Sequence, residues 1–298
     1  MIKRLMTAFF GVIILVPFAI FSHTNAVLIL TVLMSCIGVY EILKCIGREK
    51  NIFMLVLVEG LAVATQLLSR LISDDRDYLA VFMMMTVVLI VFMMSAAVFT
   101  AGKPLVSQPM GEQENGKVGL RCYRITVNEA VTVAIMSVYV CFGFSSLVLL
   151  RDLEHGLILF LLWFFIPWVC DGCAYFVGRA FGKHKLIPAV SPKKTIEGAI
   201  GGVVGTLILM MIFALVMQFG FGYVPNYIGI LLLTLVSCPV SMCGDLIASL
   251  LKREHNVKDY GNLLPGHGGV MDRFDSCIST GPFIYIVCVL FSSNALFF

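Results

Sequence analysis

The sequence predicts a polytopic bundle of transmembrane helices, which is an all-α fold. Of its 298 residues, 59% are hydrophobic and only 13% are charged, whereas soluble domains carry about 25% charged residues. The apolar residues form continuous stretches rather than alternating ten-residue strands, which favours helices over a transmembrane β-barrel. A helix of about 20 apolar residues is long enough to cross the hydrocarbon core of a bilayer.

Nine apolar stretches in the chain have this character. The first follows Lys3 and Arg4, but no small-residue cleavage site comes after it, so we expect a retained span rather than a signal peptide. The predicted spans are 5–22, 26–43, 52–72, 78–100, 128–150, 156–177, 197–219, 226–246 and 277–297.

The basic residues predict how these spans are oriented. With the N-terminus in the cytoplasm, alternating spans place 18 of the 21 Lys and Arg residues inside and leave only Arg70, Arg76 and Arg151 outside. Cytoplasmic loops of membrane proteins carry such an excess of positive charge. The sequence therefore predicts a multi-pass protein of the cell membrane, with a cytoplasmic N-terminus and an external C-terminus.

Polar residues are distributed unequally between the two halves of the chain. Residues 1–127 hold four predicted spans and a loop rich in Pro and Gly, and we expect them to form a transmembrane scaffold. Residues 128–298 hold five spans and two polar cytoplasmic loops, 178–196 and 247–276. We expect this second region to carry the chemistry.

Four aspartates fall at the cytoplasmic ends of spans in the second region. Asp171 ends the sixth span, Asp245 lies near the end of the eighth, and Asp272 and Asp275 come just before the ninth. Charged groups near hydrocarbon are costly unless they are paired, hydrated or functional. Each aspartate also has a structural alternative, as a helix cap or a packing hydrogen bond.

Basic residues share this membrane face with the aspartates. Lys193 and Lys194 precede the seventh span, and Lys252 and Arg253 follow the eighth. Such residues are also ordinary flanks of a span. Together with the carboxylates, however, they suit a divalent metal and a polyphosphate, because Mg²⁺ binds one or two carboxylates and phosphate oxygens while Lys and Arg neutralise the remaining charge.

The segment from Ser249 to Asp275 resembles the hallmark motif of the phosphatidate cytidylyltransferases, also called CDP-diacylglycerol synthases. A second segment, 171–198, is also similar to that family, with one departure at Gly172, where relatives usually carry Thr. The fixed positions of the hallmark motif are met by Ser249, Lys252, Arg253, Lys258, Asp259, His267, Gly268, Gly269, Asp272, Arg273 and Asp275. The second segment matches at Ala174, Tyr175, Gly178, Arg179, Gly182 and at residues 191–198.

The resemblance implies that CTP and phosphatidate react to give CDP-diacylglycerol and pyrophosphate, a step of phospholipid biosynthesis. CTP would come from the cytoplasm and phosphatidate from the inner leaflet of the membrane. Family members need Mg²⁺ and sometimes a monovalent cation such as K⁺. Nucleic acid is not an expected partner, and a homodimer is left open.

The same resemblance guides the prediction of individual site residues. We expect Asp245 and Asp272 to bind Mg²⁺, with Asp171 and Asp275 as secondary ligands. The predicted catalytic residues are Asp245, Asp272, Lys252 and Arg253. The predicted substrate-binding residues are Ser191, Lys193, Lys194, Tyr175, His267, Gly268, Gly269 and Arg273.

Two other classes of function are left open by the sequence. A CTP-dependent lipid kinase, such as a polyprenol kinase, also uses a nucleotide at a membrane active site, but it transfers the γ-phosphate. A transporter would carry charged residues deep within its spans and be accessible from both sides. The charges here gather at one rim instead, which favours the enzyme.

Overall fold

The computed structural model describes residues 25–102, 124–263 and 268–291, and these ranges form a helical bundle with one small β-hairpin. The two hairpin strands are antiparallel. In chain order the elements are α1 (Asn25–Cys45), α2 (Ile52–Leu71), α3 (Asp75–Thr100), α4 (Val127–Asp152), α5 (Gly156–Phe181), β1 (Lys185–Ile187), β2 (Ser191–Thr195), α6 (Ile196–Phe221), α7 (Tyr227–Glu254) and α8 (Met271–Phe291).

The predicted all-α transmembrane bundle is confirmed. Eight helices of the described ranges are long and apolar enough to cross a membrane. Helices suit this environment, because the hydrocarbon core holds no water to bond with backbone N–H and C=O groups. The eight helices correspond to eight of the nine predicted spans. The predicted first span, 5–22, lies outside the described residues, as do most of the predicted 101–127 loop and His267.

Two boundaries differ from the prediction in ways that matter for function. The last helix begins at Met271 rather than at 277, so Asp272 and Asp275 belong to its first turns. The loop predicted over 178–196 is partly ordered, because α5 continues to Phe181 and strands β1 and β2 follow. Among the elements of the described ranges, this hairpin is the one that the hydrophobicity pattern did not predict.

The loops alternate between two ends of the bundle, as the predicted spans require. At one end, Arg48 after α1 forms a 2.8 Å ion pair with Glu129 in the first turn of α4. At the opposite end, Arg70 of α2 pairs with Asp152 of α4 at 2.5 Å. We name the first of these ends, which also carries the hairpin and the α7–α8 connection, the polar end.

Glycines bring α5 and α6 unusually close together next to the hairpin. A Cβ atom added at Gly201 would lie 2.4 Å from a methyl carbon of Val177, and one at Gly205 would lie 2.7 Å from the Cys173 sulfur. Small residues permit this close approach of helices within a membrane. The hairpin that joins these two helices is therefore held tightly over their ends.

A local cap fixes the point at which α6 begins. The Thr195 hydroxyl accepts a hydrogen bond of 3.1 Å from the Gly198 N–H, which satisfies a donor that has no partner within the helix. Because β2 ends at this same residue, Lys193 and Lys194 are held beside the first turn of α6.

Candidate functional site

Three carboxylates from three helices converge at the polar end, and we name them the carboxylate pocket: Asp171 on α5, Asp245 on α7 and Asp275 on α8. The Ser276 hydroxyl lies 2.9 Å from an oxygen of Asp171 and 3.4 Å from one of Asp275. Asp245 is near enough to both for their like charges to repel one another. The fold thus gathers three of the four aspartates singled out in the sequence.

One lysine lies directly against this pocket. The Lys194 ammonium is 2.5 Å from Asp245, and both side chains are 25% exposed. The Ser249 hydroxyl donates to the other oxygen of Asp245 at 3.2 Å. Within the described ranges, Asp171 and Asp275 form no ion pair. Three carboxylates therefore share one close cation, and the pocket carries excess negative charge.

The fourth aspartate belongs to a separate set, which we name the loop clamp: Glu41, Lys252 and Asp272. The Lys252 ammonium lies 2.7 Å from Asp272, and the two side chains are only 11% and 5% exposed. The second carboxylate oxygen of Asp272 accepts the N–H groups of Tyr260 at 2.8 Å and Gly269 at 3.0 Å. Asp272 thus ties α7, α8 and the loop between them together.

Glu41 brings the N-terminal region into the same clamp. This α1 residue is 4% exposed, and its two carboxylate oxygens accept the N–H groups of Val270 at 3.1 Å and Met271 at 2.9 Å. The start of α8 favours negative charge, because its N–H groups point outward there. Sequence reasoning missed Glu41, although an ionisable residue inside a predicted span was an available signal.

The ring of Tyr260 lies next to the buried ammonium of Lys252. The Lys252 ammonium lies 5.2 Å from the centre of the Tyr260 ring, a distance that allows a cation–π interaction. The phenol donates to the Ala248 carbonyl at 2.8 Å, and burial raises the pKa of Tyr260. The phenol consequently stays neutral and keeps its hydrogen bond near neutral pH.

The adjacent glycines of the hallmark segment are explained by the clamp itself. Gly268 has a φ of 85°, a backbone conformation that favours glycine. A Cβ atom at Gly269 would lie 2.1 Å from a Glu41 oxygen. The predicted role of these glycines in binding substrate stays a prediction, as does that of His267.

The remaining predicted substrate-binding residues lie on α5, on the hairpin and on α8. Lys193 and Tyr175 are exposed, and Ser191 is partly exposed at the start of β2. Arg273 is exposed in the first turn of α8. Arg253 donates from Nε to the Val190 carbonyl at 3.4 Å, so the end of α7 supports the hairpin.

Glu197 fixes the other side of the hairpin. Its carboxylate accepts the backbone N–H groups of Lys183 at 3.1 Å and His184 at 3.2 Å. The His184 Nδ1 atom also lies 2.6 Å from it. The hairpin that carries Lys193 and Lys194 is therefore anchored at both ends to helix termini.

An apolar groove of about 440 Å³ lies behind the pocket, between α4, α7 and α8. Gly244 and Ser279 line it, one residue from Asp245 and four from Asp275. Tyr139 also lines it and donates to the Asp275 carbonyl at 3.3 Å. An apolar chain in this groove would lie beside the polar pocket.

The carboxylate pocket is suited to a divalent metal by its donor chemistry. In the part of the chain that the structure describes, no three His, Cys, Asp or Glu side chains form a metal site by themselves. Mg²⁺ does not require one, since it binds one or two carboxylates and takes its other ligands from phosphate and water. Asp171, Asp245 and Asp275 offer hard oxygen ligands with excess charge, whereas both oxygens of Asp272 are already engaged.

Comparison with known proteins assigns this chain to a family. The model of the Cytidylyltransferase family matches residues 2–291. The chain belongs to that family. Since the match runs from the predicted first span to the end of α8, the N-terminal helices are part of the family's architecture as well as the polar end.

Individual relatives carry the printed name phosphatidate cytidylyltransferase. The chain is 43% identical to that of Bacillus subtilis over 168 residues, which is 56% of this chain and 61% of the relative. It is 46% identical to that of Haemophilus influenzae over 133 residues, 45% of this chain and 46% of the relative. It is 42% identical to that of Staphylococcus haemolyticus over 156 residues, 52% of this chain and 58% of the relative. The matched part thus spans about half to three fifths of these relatives.

Proposed function

We propose that the protein is a phosphatidate cytidylyltransferase, a nucleotidyltransferase that converts CTP and phosphatidate into CDP-diacylglycerol and pyrophosphate. The observation that carries the proposal is the carboxylate pocket, with Lys194 against it and a lysine-bearing hairpin above it. Two anions must meet in this reaction, so the protein must neutralise charge and align the substrates rather than supply a nucleophile. The names of the family and its relatives support the same conclusion.

The proposed chemical step needs no covalent intermediate on the protein. An oxygen of the phosphatidate phosphate forms a bond to the α-phosphorus of CTP. The bond from that phosphorus to the oxygen bridging the α- and β-phosphates breaks, and pyrophosphate leaves with this oxygen. The attacking phosphate is already ionised, so the step requires no general base.

We assign the triphosphate to the hairpin and the start of α6. Lys193 and Lys194 lie on β2, directly before the N-terminus of that helix, where backbone N–H groups favour phosphate oxygens. Lys194 reaches Asp245 at 2.5 Å and can exchange that carboxylate for a phosphate oxygen when nucleotide binds. Arg253, at the end of α7, supports the hairpin through its hydrogen bond to the Val190 carbonyl.

We assign Mg²⁺ to the carboxylate pocket, where one or two of Asp171, Asp245 and Asp275 would bind it and phosphate oxygens and water would supply the other ligands. When bound, the ion supplies positive charge to the phosphate oxygens as the substrates meet. This differs from the sequence-based hypothesis in one residue, because Asp272 is engaged by Lys252 and by two backbone N–H groups. In this proposal Asp272 positions the α7–α8 loop instead of binding the metal. The requirement for a monovalent cation such as K⁺ stays a prediction.

We assign the lipid tails to the apolar groove. A membrane lipid whose acyl chain occupies the space between α4, α7 and α8 would bring its phosphate towards Asp245 and Asp275, since residues next to both line that groove. Lipid would thus arrive from the bilayer and nucleotide from the water above the hairpin.

We propose further that the polar end faces the cytoplasm of the cell, because 18 of the 21 Lys and Arg residues fall on the predicted inner side. A reporter that is active only outside the cytoplasm, fused after Phe298, is expected to be active. A silent reporter on a folded fusion protein would contradict this orientation. The oligomeric state, which the sequence leaves open, can be measured by light scattering of the detergent-solubilised protein.

The position of the label in the product tests the proposed reaction. Purified protein in detergent is given phosphatidate, polyprenol, Mg²⁺ and CTP labelled at the α-phosphate or, separately, at the γ-phosphate. Label from the α-phosphate is expected in CDP-diacylglycerol and label from the γ-phosphate in pyrophosphate. Transfer of the γ-label to a lipid such as polyprenol would indicate a lipid kinase instead, and the proposal would be wrong.

A further inference from the structure

We infer that Glu41 is a positioning residue for the reaction: it holds the first turn of α8 and thereby sets where Asp275 and Asp272 lie. This inference rests on the proposed function, but its structural part concerns a contact that can be measured without activity. Glu41 comes from α1, and 230 positions separate it in sequence from its partner Met271.

Glu41 is a buried carboxylate with two backbone donors at the start of α8. A buried carboxylate is costly unless donors compensate it, and Glu41 is 4% exposed. Each of its two oxygens accepts one N–H, from Val270 and from Met271. Two parallel hydrogen bonds to successive residues fix both the position and the rotation of the start of α8 relative to α1.

The backbone around Glu41 is built to admit this carboxylate. A Cβ at Gly261 would lie 2.4 Å from its Oε1 atom, and a Cβ at Gly269 would lie 2.1 Å from the same atom. These two glycines of the α7–α8 connection also lie close to each other, since the Gly261 Cβ would be 3.3 Å from the Gly269 Cα. Glu41 therefore lies where Gly261 and Gly269 approach each other.

The position of the start of α8 determines where one aspartate of the carboxylate pocket and one of the loop clamp lie. Asp272 is the second residue of the helix and Asp275 is one turn later. A rotation or shift of this turn would withdraw Asp275 and Ser276 from Asp171, and Asp272 from Lys252. A displacement of about 1 Å in an active site can reduce the rate by about 100-fold, so an anchor on α1 has a direct effect on catalysis.

The test compares Glu41→Gln and Glu41→Ala with a matched control, Glu59→Gln. Glu59 is a partly exposed glutamate of α2 that lies beside Cys36. Glu41→Gln keeps the size of the side chain and one carbonyl acceptor, so it guards against loss of folding in Glu41→Ala. Thermal unfolding in detergent identifies the variants that are folded.

The first readout is amide hydrogen exchange of the peptide that contains residues 269–272. We expect Val270 and Met271 to exchange about tenfold faster or more in Glu41→Ala, because each loses a hydrogen bond to a charged group, and to a smaller extent in Glu41→Gln. Exchange in α6 and in the Glu59→Gln variant is expected to stay as in the wild type. Unchanged exchange at 269–272 in both Glu41 variants would overturn the inference.

The second readout separates positioning from simple destabilisation. We expect kcat to fall by about 10- to 100-fold in Glu41→Ala, with a higher Mg²⁺ concentration for half-maximal rate and little change in the KM for CTP. A variant that is only less stable would lose active molecules but keep the wild-type Mg²⁺ requirement, and that result would also overturn the inference. If the wild-type protein makes no CDP-diacylglycerol, the proposed function fails, and hydrogen exchange alone decides whether Glu41 positions α8.

Discussion

The carboxylate pocket and the loop clamp lie at the same end of the bundle, yet they use their charges differently. In the clamp, every oxygen of Glu41 and Asp272 has a hydrogen-bond donor. In the pocket, the six oxygens of Asp171, Asp245 and Asp275 share one close lysine, two serine hydroxyls and the backbone N–H of Ser276. A saturated set suits a structural role, and an unsaturated set suits the binding of a cation.

The comparison is most informative for Asp272 and Asp275, which are three residues apart in one motif. Asp272 lies at the start of α8, where it faces Lys252 and the backbone of the α7–α8 loop. Asp275 lies one turn further into the bundle, beside Ser276 and near Asp171. Two aspartates of one hallmark motif can therefore have different functions.

The largest effect is expected for Asp272→Asn, which leaves the Lys252 ammonium buried without its charged partner. Breaking such a pair costs about 3–5 kcal/mol. We expect a large fall in the temperature of unfolding, measured by differential scanning fluorimetry in detergent. The matched control is Asp152→Asn, because its pair with Arg70 has side chains 37% and 43% exposed and should contribute less than about 1 kcal/mol. Equal shifts in both variants would contradict the structural role of the clamp.

Unlike Asp272→Asn, the substitution Asp245→Asn should reduce activity strongly and stability only a little. We expect cytidylyl transfer to fall by about 10²–10³-fold, a size typical for removing one electrostatic contact to a transition state. Stability should change by less than about 1 kcal/mol, because the pair with Lys194 is a quarter exposed. The assay is transfer of α-label from CTP into lipid.

Asp77→Asn, an exposed aspartate at the opposite end of the bundle, is the control for that assay and should keep wild-type activity. Full Mg²⁺-dependent turnover by Asp245→Asn would remove Asp245 from the proposed metal site.

Mg²⁺ itself should stabilise the protein through the pocket. At 100 times its Kd, a ligand that binds only the folded state adds about 2.7 kcal/mol, which can be measured as a rise in the unfolding temperature without substrates. We expect Asp171→Asn to reduce this rise. Glu197→Gln changes a carboxylate in the first turn of α6, outside the pocket, and should leave the rise intact. The same response in both variants would argue against the proposed ligands.

The smallest effect is expected for Ser276→Ala, which removes the hydroxyl between Asp171 and Asp275. A hydrogen bond to a charged group contributes about 1.5 kcal/mol or more, so turnover should fall by about tenfold. The control is Thr280→Val, one turn later on α8, which removes a hydroxyl that donates to the Ser276 carbonyl at 2.7 Å and is not part of the apolar groove. Comparable losses of activity in both variants would show that Ser276 has no special role.

The sequence by itself determined the membrane bundle and the end at which the polar groups meet. Continuous apolar stretches of about 20 residues specify spanning helices, because the backbone must satisfy its own hydrogen bonds in lipid. Alternation of the spans then places residues 178–196 and 247–276 at one end. The hallmark motif supplied the identity of Lys252, Asp272 and Asp275 there, and the hydrogen bond from Arg253 to the Val190 carbonyl confirms that the two segments meet.

Only the tertiary structure decided which of these charges belong together. Helical periodicity places Asp272 and Asp275 near one face, but it does not reveal that Lys252 and two backbone N–H groups engage one of them and leave the other near Asp171. Nor does any local pattern connect Glu41 with Met271, 230 positions away. Such partners are set by the packing of α1, α7 and α8 against one another, because hydrogen bonds between distant segments depend on the position of whole helices rather than on spacing along the chain.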